Sequence, residues 1–229
     1  MDHECGTVLR CRFKHFRWRF PEYWMLALSA AAWLLLAAGQ GGDVHQRGAR
    51  ADSLHWILMV LAMMLPLQIA NVRLTAERSL WSRRDRSITG YLVGYVSVWA
   101  LAGLPLAWAT AEFGFAHRIN WIAGGVTGFT IAAAWLVTPW KATAARLCHR
   151  TVPLSPAGWE ADQDCVGYGW ISGCACMFNC WPLMIGCWLS GHSLVIMFVA
   201  FGLGWADRHF APSDKAQALL LAAGRQLAR

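Results

Sequence analysis

Residues Tyr168 to Leu189 read YGWISGCACMFNCWPLMIGCWL, with no Lys, Arg, Asp or Glu anywhere in the run. A bilayer-crossing helix takes about 20 apolar residues, so this stretch alone is long enough to span. Cys174, Cys176, Cys180 and Cys187 all fall inside it, which puts thiols where water is scarce and rules out a small disulfide-stapled secreted domain. The rest of the chain has the same character: 57% of its 229 residues are hydrophobic, only 14% are charged, and the mean hydropathy is +0.36. A soluble domain of this length would carry far more charge.

Working outward, five further stretches fit the same requirement, giving spans at Tyr23 to Ala38, Leu54 to Val72, Ile88 to Ala111, Trp121 to Thr138, Tyr168 to Leu189 and Ser193 to Ala206. Backbone groups in hydrocarbon need internal partners, and no segment shows the alternation of a barrel strand, so the expected fold is all-α, a polytopic bundle of six transmembrane helices. Seventeen of the 20 Lys+Arg lie before the first span, after the second and fourth, or in the C-terminal tail; only Arg47, Arg50 and Arg118 lie on the other side. Cytoplasmic loops carry the Lys/Arg excess, so both termini are expected in the cytoplasm. The net charge of +7 is thereby explained by topology, and a nucleic-acid partner has no support. The organisation expected is a basic cytoplasmic tail over 1–20, a membrane domain over 21–210 with the first span kept as an uncleaved anchor, and a cytoplasmic tail over 211–229.

Tryptophans 24, 56, 108, 121, 140, 170, 188 and 205 fall near span ends, where amphipathic rings suit the headgroup layer. Gly90 and Gly94, and Gly124 and Gly128, sit one helical turn apart and would let helix backbones approach closely.

The chemistry is read from two helical faces. A helix advances about 100° per residue, so His55, Met59 and Met63 of the second span fall within an arc of about 80°, with Met64 pointing elsewhere. On the fifth span Cys176, Cys180, Met184 and Cys187 share a similar arc of about 80°, while Cys174 lies on the far side. Thiol, thioether and imidazole suit Cu(I), and a donor set without carboxylates disfavours Mg²⁺ or Ca²⁺; Zn²⁺ remains open, although it seldom uses methionine. The two spans run in opposite directions, which places His55 and Cys187 toward the outer end, together with His192 in the short outer turn. Cys176 and Cys187 are roughly 16 Å apart along the helix, so the donors form a ladder rather than one cage. Packing stays open as the alternative, because methionine and free cysteine are ordinary fillers of helix interfaces. His3, Cys5, Cys11 and His15 would form a ligand set only if the N-terminal tail folded onto a metal.

Pro66 and Pro182 each remove a helical hydrogen bond, leaving the carbonyls of Ala62 and Phe178 short of a partner. Asn179 is an amide that must find partners inside the bundle.

Met59, Met63, Met64 and Pro66, then Thr138, Pro139 and Lys141 followed by Cys148 and Pro153, then Gly173, Cys176, Cys180, Trp181, Leu183 and Met184, together resemble a bacterial family of predicted metal-binding integral membrane proteins of unknown function. The resemblance runs from about Trp56 to Asp207. It implies metal binding linked with copper handling, in the cytoplasmic (inner) membrane. It also implies a further cysteine at the positions held here by Asn179 and by Ala144, and these departures bear on the number of ligands.

Three functions follow. The first is a membrane copper-binding protein that accepts Cu(I) at His55, Met59, Met184, Cys187 and His192 and passes it to Met63, Cys180 and Cys176. Cys148 and His149 would come next, in exchange with a periplasmic or cytoplasmic metal carrier. The second is a membrane thiol-disulfide oxidoreductase, although cysteines four apart on a helix are not the strand-to-helix arrangement that activates a thiolate. The third is a non-catalytic subunit of a larger membrane complex. No phosphate-binding loop, no mid-membrane carboxylate and no nucleophile–base–acid set appears, so apart from thiol redox chemistry the chain is not read as an enzyme.

Overall fold

The computed structural model describes residues 15–39, 49–113, 120–148, 150–155 and 157–209. His3, Cys5, Cys11, Arg47, Arg118, His149 and the 211–229 tail lie outside them. Among the described residues every regular element is helical and no strand occurs, as expected. After a helical turn at 15–19 the elements are α1 (Tyr23–Ala38), α2 (Ala49–Met64), α3 (Ile69–Arg78), α4 (Arg84–Phe113), α5 (Trp121–Leu136), α6 (Pro139–Cys148), α7 (Gly158–Leu189) and α8 (Leu194–His209).

Two of these helices are long and apolar enough to cross a membrane, over Trp81–Ala109 and Gly158–Leu189, and the count rises to four if each of two bent pairs is one span. The first bent pair is the expected second span. Pro66 has no N–H to give the Ala62 carbonyl, so α2 stops at Met64, a 3-10 turn covers Pro66–Gln68, and the chain resumes as α3 at 40°. The Ala62 carbonyl is not left short: Ser29 of α1 donates its hydroxyl to it at 2.8 Å. This corrects the sequence reading and shows why α1, whose stripe of Met25, Ser29, Ala32 and Leu36 is buried, lies against α2.

The second bent pair turns by 89° between α5 and α6. Thr138 makes the corner: its hydroxyl donates to the Trp135 carbonyl at 2.7 Å and accepts the Lys141 N–H at 3.3 Å, while Pro139 occupies the first helical position, where a missing N–H costs nothing. Pro182, by contrast, lies inside the unbroken α7.

α7 is the central element, packed on α4, α5, α6 and α8. Close approach depends on glycine at two places: a Cβ on Gly94 would sit 2.1 Å from the Val166 carbonyl oxygen, and one on Gly128 would sit 2.1 Å from the Gly186 Cα. Both belong to the small-residue pairs read from the sequence.

Groups from separate connections gather at the Lys/Arg-rich end. Arg17 pairs with Asp85, Arg73 with Glu22, and Arg83 and Arg86 both reach Asp162, at 2.6 and 2.7 Å. At the opposite end Gly191 and His192 adopt left-handed φ of 65° and 62° in the turn from α7 to α8. Most tryptophans assigned to span ends are exposed or half-buried, but Trp56 is buried at 3% exposure, with its indole N–H on the Trp99 carbonyl at 3.0 Å. It is an interior packing residue.

Candidate metal centre

The sulfur-bearing faces turn inward. Met59, Met63, Met64, Cys148, Cys176, Cys180, Met184 and Cys187 are all buried and belong to one core cluster. All six described cysteines are free thiols.

At the end away from the arginines, His55 and His192 meet with ring centroids 5.9 Å apart and planes at 52°. His55 Nδ1 lies 2.9 Å from the Ala51 carbonyl, which can only accept, so Nδ1 is the donor of this bond and Nε2 is the ring nitrogen left for a metal. A neighbouring acceptor fixes the tautomer of metal-ligating histidines in this way. Farther in, Met59, Met63, Met184 and Cys187 line the core at 0 to 1% exposure.

The closest set of donors lies deeper still. Cys176 Sγ is 4.0 Å from Met64 Sδ and accepts the Tyr95 hydroxyl at 3.0 Å. Cys180 lies one helical turn beyond Cys176 on the same helix. Asn179 donates its amide to Cys180 Sγ at 3.5 Å and to Asp207 at 2.9 Å, and its carbonyl accepts from Lys141 Nζ at 2.7 Å. Lys141 completes the knot with an ion pair to Asp207 at 2.6 Å. Cys148, on α6 and outside the six apolar spans, lies within electrostatic reach of Cys180. Burial pushes its thiol up to about 12, and the neighbouring Cys180 adds to the rise.

The structure therefore brings together His55 with His192 at one end and Cys176 with Cys180 at the other, with Cys148 near the latter pair. It does not gather the predicted donors at one point: among the described residues no three His, Cys, Asp or Glu side chains converge on a common position. What does meet is one thiol and one thioether, Cys176 and Met64, with Cys180 one helical turn from Cys176. A metal–sulfur bond of about 2.3 Å places the sulfurs of a trigonal site about 4.0 Å apart, which is the Met64 to Cys176 separation.

Met64 was misplaced by the helical arithmetic, which assumed that only one face of the second span is interior; Met63 and Met64 are both buried, at 1% and 2% exposure. The paired methionines ahead of Pro66 were the available signal. Lys141 enters the sequence reading as a loop charge and as part of the Thr138, Pro139 and Lys141 element, whereas neither Asp207 nor Tyr95 is singled out there as a site residue.

Among the described residues, fold and side chains together define an all-helical protein with bilayer-length apolar helices around a core rich in thiols and thioethers. Comparison with known families places residues 53–224 in a family described as copper chaperone, and the chain belongs to that family. Neither the curated proteins nor the solved structures provide a match.

Proposed function

We propose that this copper chaperone is a multi-pass protein of the bacterial inner membrane that holds and passes Cu(I) along a ladder of soft donors inside the bundle. The observation that carries the reading is the 4.0 Å contact between Met64 of α2 and Cys176 of α7, which joins the two sulfur-bearing faces. Uptake begins at His55 and His192, continues past Met59, Met184, Cys187 and Met63, and ends at Met64, Cys176 and Cys180, with Cys148 beyond them. A soft set of this composition favours Cu(I) over Zn²⁺.

In this reading α1, the bent α2–α3 pair, α4, α5, α7 and α8 are the six crossings, and α6 lies along the cytoplasmic face. The 16-residue helices rise about 24 Å each, a shortfall small enough for the bilayer to absorb by local thinning. Support for sidedness comes from contacts between segments assigned to the same side: Arg17 with Asp85, Arg83 with Asp162, and Lys141 with Asp207. The pairing of His55 with His192 supports a shared opposite side. Both termini are then cytoplasmic, with 1–20 and 211–229 as tails to the membrane domain.

The test is element analysis of the detergent-purified protein, wild type beside Cys176→Ser/Cys180→Ser. Copper in the wild type that is lost from the double variant is the expected result, and equal metal content in both would end the proposal. Two buried free thiols one helical turn apart, Cys176 and Cys180, also suit a thiol oxidoreductase. Trapping a mixed disulfide with a periplasmic protein would select that reading.

A further inference from the structure

Cys180 is 4% exposed, yet it does not face only the sulfur core. It also lines a cavity of about 430 Å³ between α5, α7 and α8, walled by Phe129, Ala132 and Leu183 and closed at one end by Lys141, Asn179 and Asp207. Leu136, Val199 and Leu203 form the mouth; they line the cavity and are still 52%, 48% and 49% exposed. Cys176 does not line it, and neither does any donor of the ladder above Cys180.

The core thus has a side opening that leads to one thiol. Asn179, tied to Asp207 and Lys141, holds the Cys180 sulfur in a fixed place at the inner wall. The polar, closed end lies beside the 89° corner at Thr138 and Pro139, and the mouth lies between the apolar faces of α5 and α8.

We propose that this cavity is the port through which Cys180 exchanges Cu(I) with a small thiol, and that metal leaves the ladder here sideways. The inference rests on the copper reading and assigns its hand-over point. Two carrier thiols bind Cu(I) in turn as its bonds to Met64, Cys176 and Cys180 break, and their two thiol protons pass to the Cys176 and Cys180 sulfurs. Loading is the reverse. Copper stays Cu(I) throughout, and no electron acceptor is involved. A two-coordinate passage of this kind needs one accessible thiol, and the cavity exposes one.

The test uses the full-length protein in detergent, with Leu203→Trp at the mouth and Ala132→Phe in the wall. Metal-free protein is treated with N-ethylmaleimide and labelling is mapped by peptide mass spectrometry. Cys180 labels in the wild type and at least 10-fold more slowly in both variants, while Cys174 labels at an unchanged rate. In copper-loaded protein, removal of Cu(I) by glutathione slows by a similar factor with copper content unchanged. Equal Cys180 labelling in wild type and both variants would overturn the port, as would an unreactive wild-type Cys180. The labelling needs no metal, so a protein that holds no copper would end the copper reading without deciding the port. Leu203 lies at an exposed rim, so Leu203→Trp keeps the test interpretable if Ala132→Phe fails to fold.

Discussion

Met64 Sδ and Cys176 Sγ lie 4.0 Å apart across the bundle, although they come from helices whose main packing partners are other elements. The second of two adjacent methionines, and not the first, meets the thiol. Leucine nearly conserves the volume of methionine, so Met64→Leu separates ligation from packing. It is expected to lower Cu(I) affinity at least 10-fold, about 1.4 kcal/mol, in competition titrations with a Cu(I) chelator. Met63→Leu is expected to have a smaller effect. Equal effects from the two variants would remove Met64 from its assigned place.

Tyr95 donates to the Cys176 sulfur from a fully buried position. Tyr95→Phe keeps the ring and removes only the hydroxyl, so stability changes by about 1 kcal/mol or less. A weaker Cu(I) complex with little change in thermal midpoint is the expected outcome. A large loss of stability with unaltered affinity would make the hydroxyl a packing feature only.

Lys141 and Asp207 form a partly buried ion pair, with side-chain exposures of 11% and 21%. Removing one partner leaves the other charge uncompensated, which would cost about 3–5 kcal/mol in a fully buried pair and less in this partly exposed one, whereas removing both charges is far less damaging. Thermal unfolding in detergent should therefore show Lys141→Met and Asp207→Leu each destabilised, and the double variant closer to wild type. Additive losses in the double variant would contradict a pair.

Ser29 supplies the hydrogen bond that Pro66 denies to Ala62. Side-chain hydrogen bonds between membrane helices average about 0.6 kcal/mol, but an orphaned buried carbonyl adds to that loss. Ser29→Ala should lower the thermal midpoint modestly, and Ser29→Ala/Pro66→Ala should recover it, because residue 66 then bonds Ala62 itself. No recovery would mean that the kink is held by other contacts.

The helical class, the spacing of the glycines and the inward sulfur faces were legible because each depends on residue type and helical period alone. Gly94 and Gly128 illustrate this: a four-residue spacing announces close packing whatever the partner turns out to be. Met64 was not legible, because a span enclosed on several sides has no single interior face. The knot at Asn179 was hidden for a different reason. The amide's need for partners could be read, but Lys141 and Asp207 are 38 and 28 residues away in sequence, and no periodicity links them. The partner of the Ala62 carbonyl was hidden likewise, since a serine in an apolar helix carries no sign of where its hydroxyl points.

The right-angled elbow after Thr138 sets the address of the Lys141 ammonium more tightly than any of the long apolar helices does. One extra residue slipped in between Pro139 and Lys141 would swing that ammonium by about 100° around its own short helix. It would strip Asn179 and Asp207 of their cation and still leave every hydrophobic segment as long and as greasy as before. A lesion of that kind would be invisible to hydropathy and would show itself only in how the thiol beside the amide behaves.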